Sequence, residues 1–241
     1  MVGIALVGLT AAGVAACQPT SGGAGAPAAA ASTPPAAGGA PAPETVRLEG
    51  ERVPTRVVFL GTSLTAGLGL DPDSAYPALV ERKADAAGRP ITAVNAGVSG
   101  ETSSGALRRL DWVLREPADW VIVETGANDG LRGQSPEALR QNLAEIVRRV
   151  RAAQPGARVA LVQMEAPRNL GAAYVRRFHD VYGEVAREAG VPLLPFLLEG
   201  VAGVGALNQP DGVHPNEEGE RRVAENVWRA LAPLLAAPEA P

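Results

Sequence analysis

Cysteine is almost absent from this chain. The one present, Cys17, excludes an intrachain disulfide and a thiolate metal cluster. Histidine is nearly as scarce: with only His179 and His214, a His-rich metal site is excluded too. Phe, Tyr and Trp number three each, which leaves few stacking platforms, and Lys and Arg form no block. At a net charge of −4 a nucleic-acid partner is not expected, because such binding rests on neutralising phosphates. Apolar residues are what the chain has in quantity. They make up 46% of its 241 residues, enough for one good-sized core.

The apolar run Val2–Ala16 carries no charge and ends in small residues at Cys17. It is shorter than the roughly 20 residues a membrane span needs, and suits the apolar region of a signal peptide. Val14-Ala15-Ala16-Cys17 resembles a bacterial lipobox, which implies cleavage before Cys17 and lipidation of its sulfur. The alternative is a plain secretory signal with an incidental cysteine. Residues 18–45 are nearly all Ala, Gly, Pro, Ser and Thr, too poor in apolar side chains to offset their ordering entropy. The expected organisation is a signal peptide over 1–16, an Ala/Gly/Pro linker over 17–46 and a folded domain over 47–237. The expected location is the bacterial cell envelope, membrane-anchored or secreted, with Gln18 after Cys17 compatible with outer-membrane sorting.

From about Val46 strand and helix patterns alternate. Strands are expected at Arg56–Leu60, Ile91–Asn95, Trp120–Glu124, Val159–Gln163 and Val191–Leu194. Ser135-Pro136-Glu137 starts a helix, and Leu139, Leu143, Ile146, Val147 and Val150 fall on one face of it. Tyr174, Phe178, Val181 and Val185 form a second stripe closed by Gly190, and Asn216 can cap a last helix. This spacing implies a three-layer α/β domain around a parallel sheet with right-handed crossovers.

Val57–Gly69, VVFLGTSLTAGLG, is a buried-strand pattern running into a glycine, a serine and small residues that can open a helix. Such a turn lies at the carboxyl edge of the sheet, where open α/β folds place ligands. Ser63 there is either an ordinary N-cap or a nucleophile that needs a base. Near the other end, Asp211-Gly212-Val213-His214-Pro215-Asn216 puts an Asp three residues before a His on a turn fixed by Gly and Pro. The order Ser…Asp…His matches a known chain order for a nucleophilic triad. His179, beside Phe178 in a helical stripe, reads as structural. Asn95–Gly100 and Gly126–Gly130 also follow strands; Gly97 offers a backbone N–H and Asn128 a side-chain amide, though each alone is an ordinary Asn/Gly turn. Glu124 and Asp129 are expected to fix backbone. Glu165 and Arg168 either line an acyl site or face water. Leu198–Gln209, with Val201, Val204 and Leu207, and Leu131-Arg132-Gly133 are expected walls for an acyl chain.

GTSLTAG, NAGVSGET, GANDG and DGVHPN resemble the four blocks of the SGNH (GDSL) hydrolase superfamily. WVIVETGANDGLRG, VPLLPFLLEG and DGVHPN are similar to its acyl-CoA thioesterase I / lysophospholipase L1 / arylesterase branch, over roughly residues 54–235. The resemblance implies a flavodoxin-like fold with a five-stranded parallel sheet and no metal or organic cofactor. It implies Ser63 as nucleophile, His214 as general base and acid, and Asp211 as the residue that orients His214. The implied oxyanion hole comprises the Ser63 and Gly97 N–H groups and the Asn128 amide. Thr62 stands where the family usually has Asp, and Ala127 where it often has Gly. Thr65 excludes the Gly-x-Ser-x-Gly elbow of α/β-hydrolases. The expectation is a serine esterase acting on short-to-medium acyl or aryl esters, thioesters or lysophospholipids, held at a membrane by its lipid anchor. A carbohydrate O-deacetylase of the same superfamily and a tethered non-catalytic binding module are the alternatives.

Overall fold

Four consecutive apolar residues, Val57–Leu60, are fully or almost fully buried, as a strand covered by helices on both faces requires. In the computed structural model, which describes residues 54–236, they belong to β1 (Thr55–Gly61). The other strands are β2 (Ile91–Gly97), β3 (Trp120–Val123), β4 (Arg158–Val162) and β5 (Leu193–Leu194). All pair in parallel, in the order β2-β1-β3-β4-β5. The expected five-stranded parallel sheet is therefore present. Its strand order reverses at β1, and the crevice this opens at the carboxyl ends of the strands is where such folds bind ligands.

The helices are α1 (Ser63–Ala66), α2 (Tyr76–Ala86), α3 (Ser103–Val113), α4 (Ala127–Leu131), α5 (Pro136–Ala153), α6 (Ala172–Ala189) and α7 (Glu217–Ala236). α2 packs on α7, and α5 packs on both α3 and α6, which gives two helical groups about the sheet. Ser135 caps α5, accepting from the Ala138 N–H, and the expected stripe from Leu139 to Val150 is buried. Phe178, Val181 and Val185 of α6 are buried with Tyr182, and the helix ends on Gly190 at φ 60°. Asn216 Oδ1 accepts from the Gly219 N–H at 3.0 Å at the start of α7. β5 is shorter than expected. The Val191 N–H is taken by the Ala186 carbonyl and Pro192 has no N–H to offer, so pairing starts at Leu193. The segments expected as signal peptide and linker, with Cys17, lie outside the described residues.

Candidate active site

β1 delivers its last residue to the sheet edge and the chain turns at once into α1. Thr62, not Ser63, caps this short helix: its hydroxyl accepts from the Leu64 N–H at 3.4 Å. Ser63 is the first helical residue, 9% exposed, with its hydroxyl outward to a cavity. The turn rests on a buried carboxylate. Glu124, just past β3, accepts from the Thr62 N–H at 2.8 Å and from the hydroxyls of Thr62 and Thr65 at 2.8–3.1 Å. Burial pushes its carboxyl up to about 7, while these donors pull the other way. An Asp at position 62 would set a second carboxylate against Glu124, where the Thr62 hydroxyl instead donates to it. Thr62 is thus compatible with the turn. Asn95 adds a prop, donating to the Thr65 carbonyl at 2.8 Å.

His214 reaches the same edge from the loop before α7. Its Nε2 lies 2.9 Å from Ser63 Oγ, and its Nδ1 lies 2.6 Å from Asp211 Oδ2. Asp211 Oδ1 accepts from the Val213 and His214 N–H groups at 2.9 and 3.0 Å, so the carboxylate also shapes the turn that carries the imidazole. Those donors hold its carboxyl down at about 2. An ionised carboxylate only accepts, so His214 carries its proton on Nδ1 and presents a lone pair on Nε2 to the Ser63 hydroxyl. This arrangement can take a proton from a serine as the serine attacks an electrophile. Gln209, which the sequence reading passed over, ties the two loops together. Its amide donates to the Leu68 carbonyl at 2.7 Å and to the Pro215 carbonyl at 2.9 Å.

Asn128 is the second residue of α4, which opens on Gly126 at φ 109°, where a Cβ would run into the Tyr182 hydroxyl. One Asn128 Nδ2 hydrogen goes to the Glu101 carbonyl at 3.0 Å. The amide keeps a second hydrogen, and Asn128 lines the cavity beside Ser63. Gly97 does not meet its expected role. Its N–H is taken by Asn95 Oδ1 at 3.0 Å and it does not line the cavity. It is the end of β2, paired with Gly61, and a Cβ there would lie 2.7 Å from Ala66 Cα and 2.8 Å from the Thr62 carbonyl. Glycine is needed at position 97 so that β2 can pass under the Ser63 turn. The glycine that does line the cavity is Gly100, at φ 75°, whose N–H has no partner among the described residues.

The cavity above these groups measures about 950 Å³. Its wall is mainly apolar, with Leu68, Leu131, Met164, Val175, Phe196 and Leu198 contributing. Glu165 and Arg168 both line it, and Arg168 is exposed. Val201, Val204 and Leu207 do not: Val201 is fully buried, Val204 is exposed and Leu207 packs against the core, so Leu198, Ala202 and Gly203 form that part of the wall, and of Leu131-Arg132-Gly133 only Leu131 lines it. His179 stands apart on α6, 57% exposed and paired with Glu165 at 2.7 Å. Glu124 and Asp129 hold backbone as expected; Asp129 accepts from the Ser103 N–H at 2.8 Å and from the Ser103 hydroxyl.

Residues 59–222 match the model of the GDSL-like Lipase/Acylhydrolase family. Esterase TesA of Pseudomonas aeruginosa is 44% identical over 181 residues, which cover 74% of this chain and 89% of that one. Thioesterase 1/protease 1/lysophospholipase L1 of Escherichia coli strain K12 is 38% identical over 180 residues, 74% of this chain and 84% of that one. The crystal structure of the psychrotrophic esterase EstA from Pseudoalteromonas sp., inhibited by monoethylphosphonate, superimposes with a TM-score of 0.72. It is 33% identical, over 76% of this chain and all of the other. Matched by the family model over most of its length and by these relatives over about three quarters of it, the chain belongs to the GDSL-like lipase/acylhydrolase family.

Proposed function

We propose that the chain is a serine esterase that cleaves carboxylic esters or thioesters through an acyl-enzyme. The observation that carries this reading is the unbroken line from Asp211 through His214 to Ser63, at 2.6 and 2.9 Å, at the base of an apolar cavity. Ser63 Oγ attacks the acyl carbon while His214 Nε2 takes its proton. The oxyanion that forms is received by the Ser63 and Gly100 N–H groups and by the Asn128 amide. His214 then hands the proton to the leaving alcohol or thiol. Water enters, is deprotonated by the same nitrogen, and releases the acid.

Short-to-medium acyl or aryl esters fit the cavity, whose volume lies within the usual range for ligand pockets. Lysophospholipids extend the same chemistry to a larger leaving group. Phe196 is the one Phe, Tyr or Trp among the lining residues, which favours an acyl chain over a sugar ring that needs a stacking face. Each methylene buried is worth about 0.8 kcal/mol, or about 4-fold. In a p-nitrophenyl ester series, kcat/KM should therefore climb from acetate by up to that factor per carbon until the chain outruns the wall. A maximum at acetate, with faster turnover of acetylated xylan, would favour the deacetylase reading instead.

The N-terminal reading is a separate part of the proposal. Val14-Ala15-Ala16-Cys17 and the Ala/Gly/Pro-rich stretch after it support a lipid anchor on Cys17 that holds the enzyme at the cell envelope. The mass of the mature N-terminus in a bacterial host tests it, and an unmodified chain starting at Met1 refutes it.

A further inference from the structure

One guanidinium binds the stretches that lead to Ser63 and Gly100 and, through Glu101, reaches Asn128. Arg109, on α3, sends Nε to both oxygens of Glu101 at 2.8 Å and Nη2 to Glu101 Oε2 at 2.6 Å. The same Nη2 donates to the Ala96 carbonyl at 2.7 Å, with a longer contact to the Gly61 carbonyl at 3.3 Å. Gly61 is the last residue of β1 before the Thr62–Ser63 turn. Ala96 precedes the loop that holds Gly100. Glu101 is the residue whose backbone carbonyl accepts one hydrogen of the Asn128 amide at 3.0 Å, and the other hydrogen has no partner among the described residues.

We infer that Arg109, through Glu101, is a positioning residue that aims the Asn128 amide. The pair is mostly buried, with 18% of the Arg109 side chain and 9% of the Glu101 side chain exposed. Buried ion pairs are poor sources of net stability, since apolar side chains of like volume serve as well, and their better-attested use is fixing a register. A fork is also the shape this job needs. Two nitrogens on one face grip the carboxylate, while Nη2 still reaches two carbonyls on neighbouring strands. An ammonium is a point charge and cannot hold all of these in fixed directions. Arg109 does not line the cavity, so it acts only through the groups it holds.

The inference rests on the reading of Asn128 as an oxyanion donor, and a double-mutant cycle separates the two. Wild type, Arg109→Ala, Asn128→Ala and the double variant are assayed for kcat and KM on p-nitrophenyl acetate, with thermal midpoints recorded alongside. Asn128→Ala should lower kcat by about 10²–10³-fold. Arg109→Ala should lower kcat by about 10–100-fold with KM nearly unchanged, yet cost under about 3-fold when Asn128 is already gone. Arg109→Lys should recover only part of the loss; where the alanine variant does not fold, the lysine variant runs through the same cycle. Equal fold-losses in both backgrounds, or none in either, would overturn the positioning role while leaving the Asn128 assignment intact. A wild-type rate in Asn128→Ala alone would overturn the Asn128 assignment, and the positioning role with it.

Discussion

Ser63→Ala is expected to lower kcat by about 10⁶-fold and to abolish labelling by a fluorophosphonate, with the thermal midpoint unchanged. The size follows from how a triad works as one unit: without the nucleophile, the imidazole and its orienting carboxylate have nothing to activate, so almost the whole rate goes at once. What survives comes from the oxyanion donors and binding acting on water. The fold should be indifferent, because Ser63 contributes its backbone to α1 while the cap is made by Thr62 and the C-terminal stop by Gly67. Two other hydroxyl residues line the cavity: Thr62, whose hydroxyl donates to the buried Glu124, and Ser99. No hydrogen bond joins Ser99 to His214 among the described residues, so it has no base and should not take over. Mass spectrometry of the labelled peptide decides this. Adduct on Ser63 in the wild type and none in the variant is the expected pair of results; full labelling or hydrolysis in Ser63→Ala would end the assignment of Ser63 as the nucleophile.

The sequence made part of this site easy to find, and the reasons are local. Val57–Leu60 is an uninterrupted apolar run because both faces of β1 are covered, and the turn after it is marked by Gly61. Asp211 and His214 are three residues apart on a turn bounded by Gly212 and Pro215, so their contact is nearly dictated by chain geometry. What sequence spacing could not supply is the choice between two glycines in one loop. Gly97 and Gly100 both sit in NAGVSG, and telling them apart requires the register Gly61↔Gly97, which extends β2 under the Ser63 turn and uses the Gly97 N–H internally. Val201 is hard to place for a related reason: a loop without regular periodicity gives no sign of which residue faces the core and which the cavity.

The supporting residues were harder to see still. Arg109 follows Arg108 on a helix whose charged positions look like an ordinary solvated face, and its partners Ala96 and Gly61 lie 13 and 48 residues away in the chain. Glu124 directly follows an apolar strand, where a lone carboxylate has no local partner. Its donors sit 59 and 62 residues away. The stretch was correctly expected to fix backbone, but which backbone it holds, the N–H of Thr62 beside the nucleophile, is a property of the β1–β3 pairing. Such residues explain how Thr62 fits the turn. The hydroxyl gives the buried Glu124 a donor, which a second acid could do only by staying protonated.

The triad carboxylate allows a test of a different kind, one that changes the direction of a single hydrogen bond. Asp211 is 46% exposed on its side chain, so solvent screens much of its charge, and its contribution rests on geometry more than on field strength. In Asp211→Asn the side-chain oxygen should stay where Oδ1 is now, accepting from the Val213 and His214 N–H groups and preserving the turn. That choice leaves the amide NH₂ facing His214 Nδ1, which must then accept. The imidazole proton moves to Nε2 and points at Ser63 Oγ, so the base is in place but occupied. A fall in kcat of about 10⁴-fold is expected from this wrong tautomer alone. KM should change little, because Gly212, Val213 and His214 line the cavity and Asp211 does not. The thermal midpoint should hold, since both backbone bonds to position 211 survive. A loss below about 10-fold would mean that His214 finds its tautomer without help, and Asp211 would then be a loop-shaping residue only.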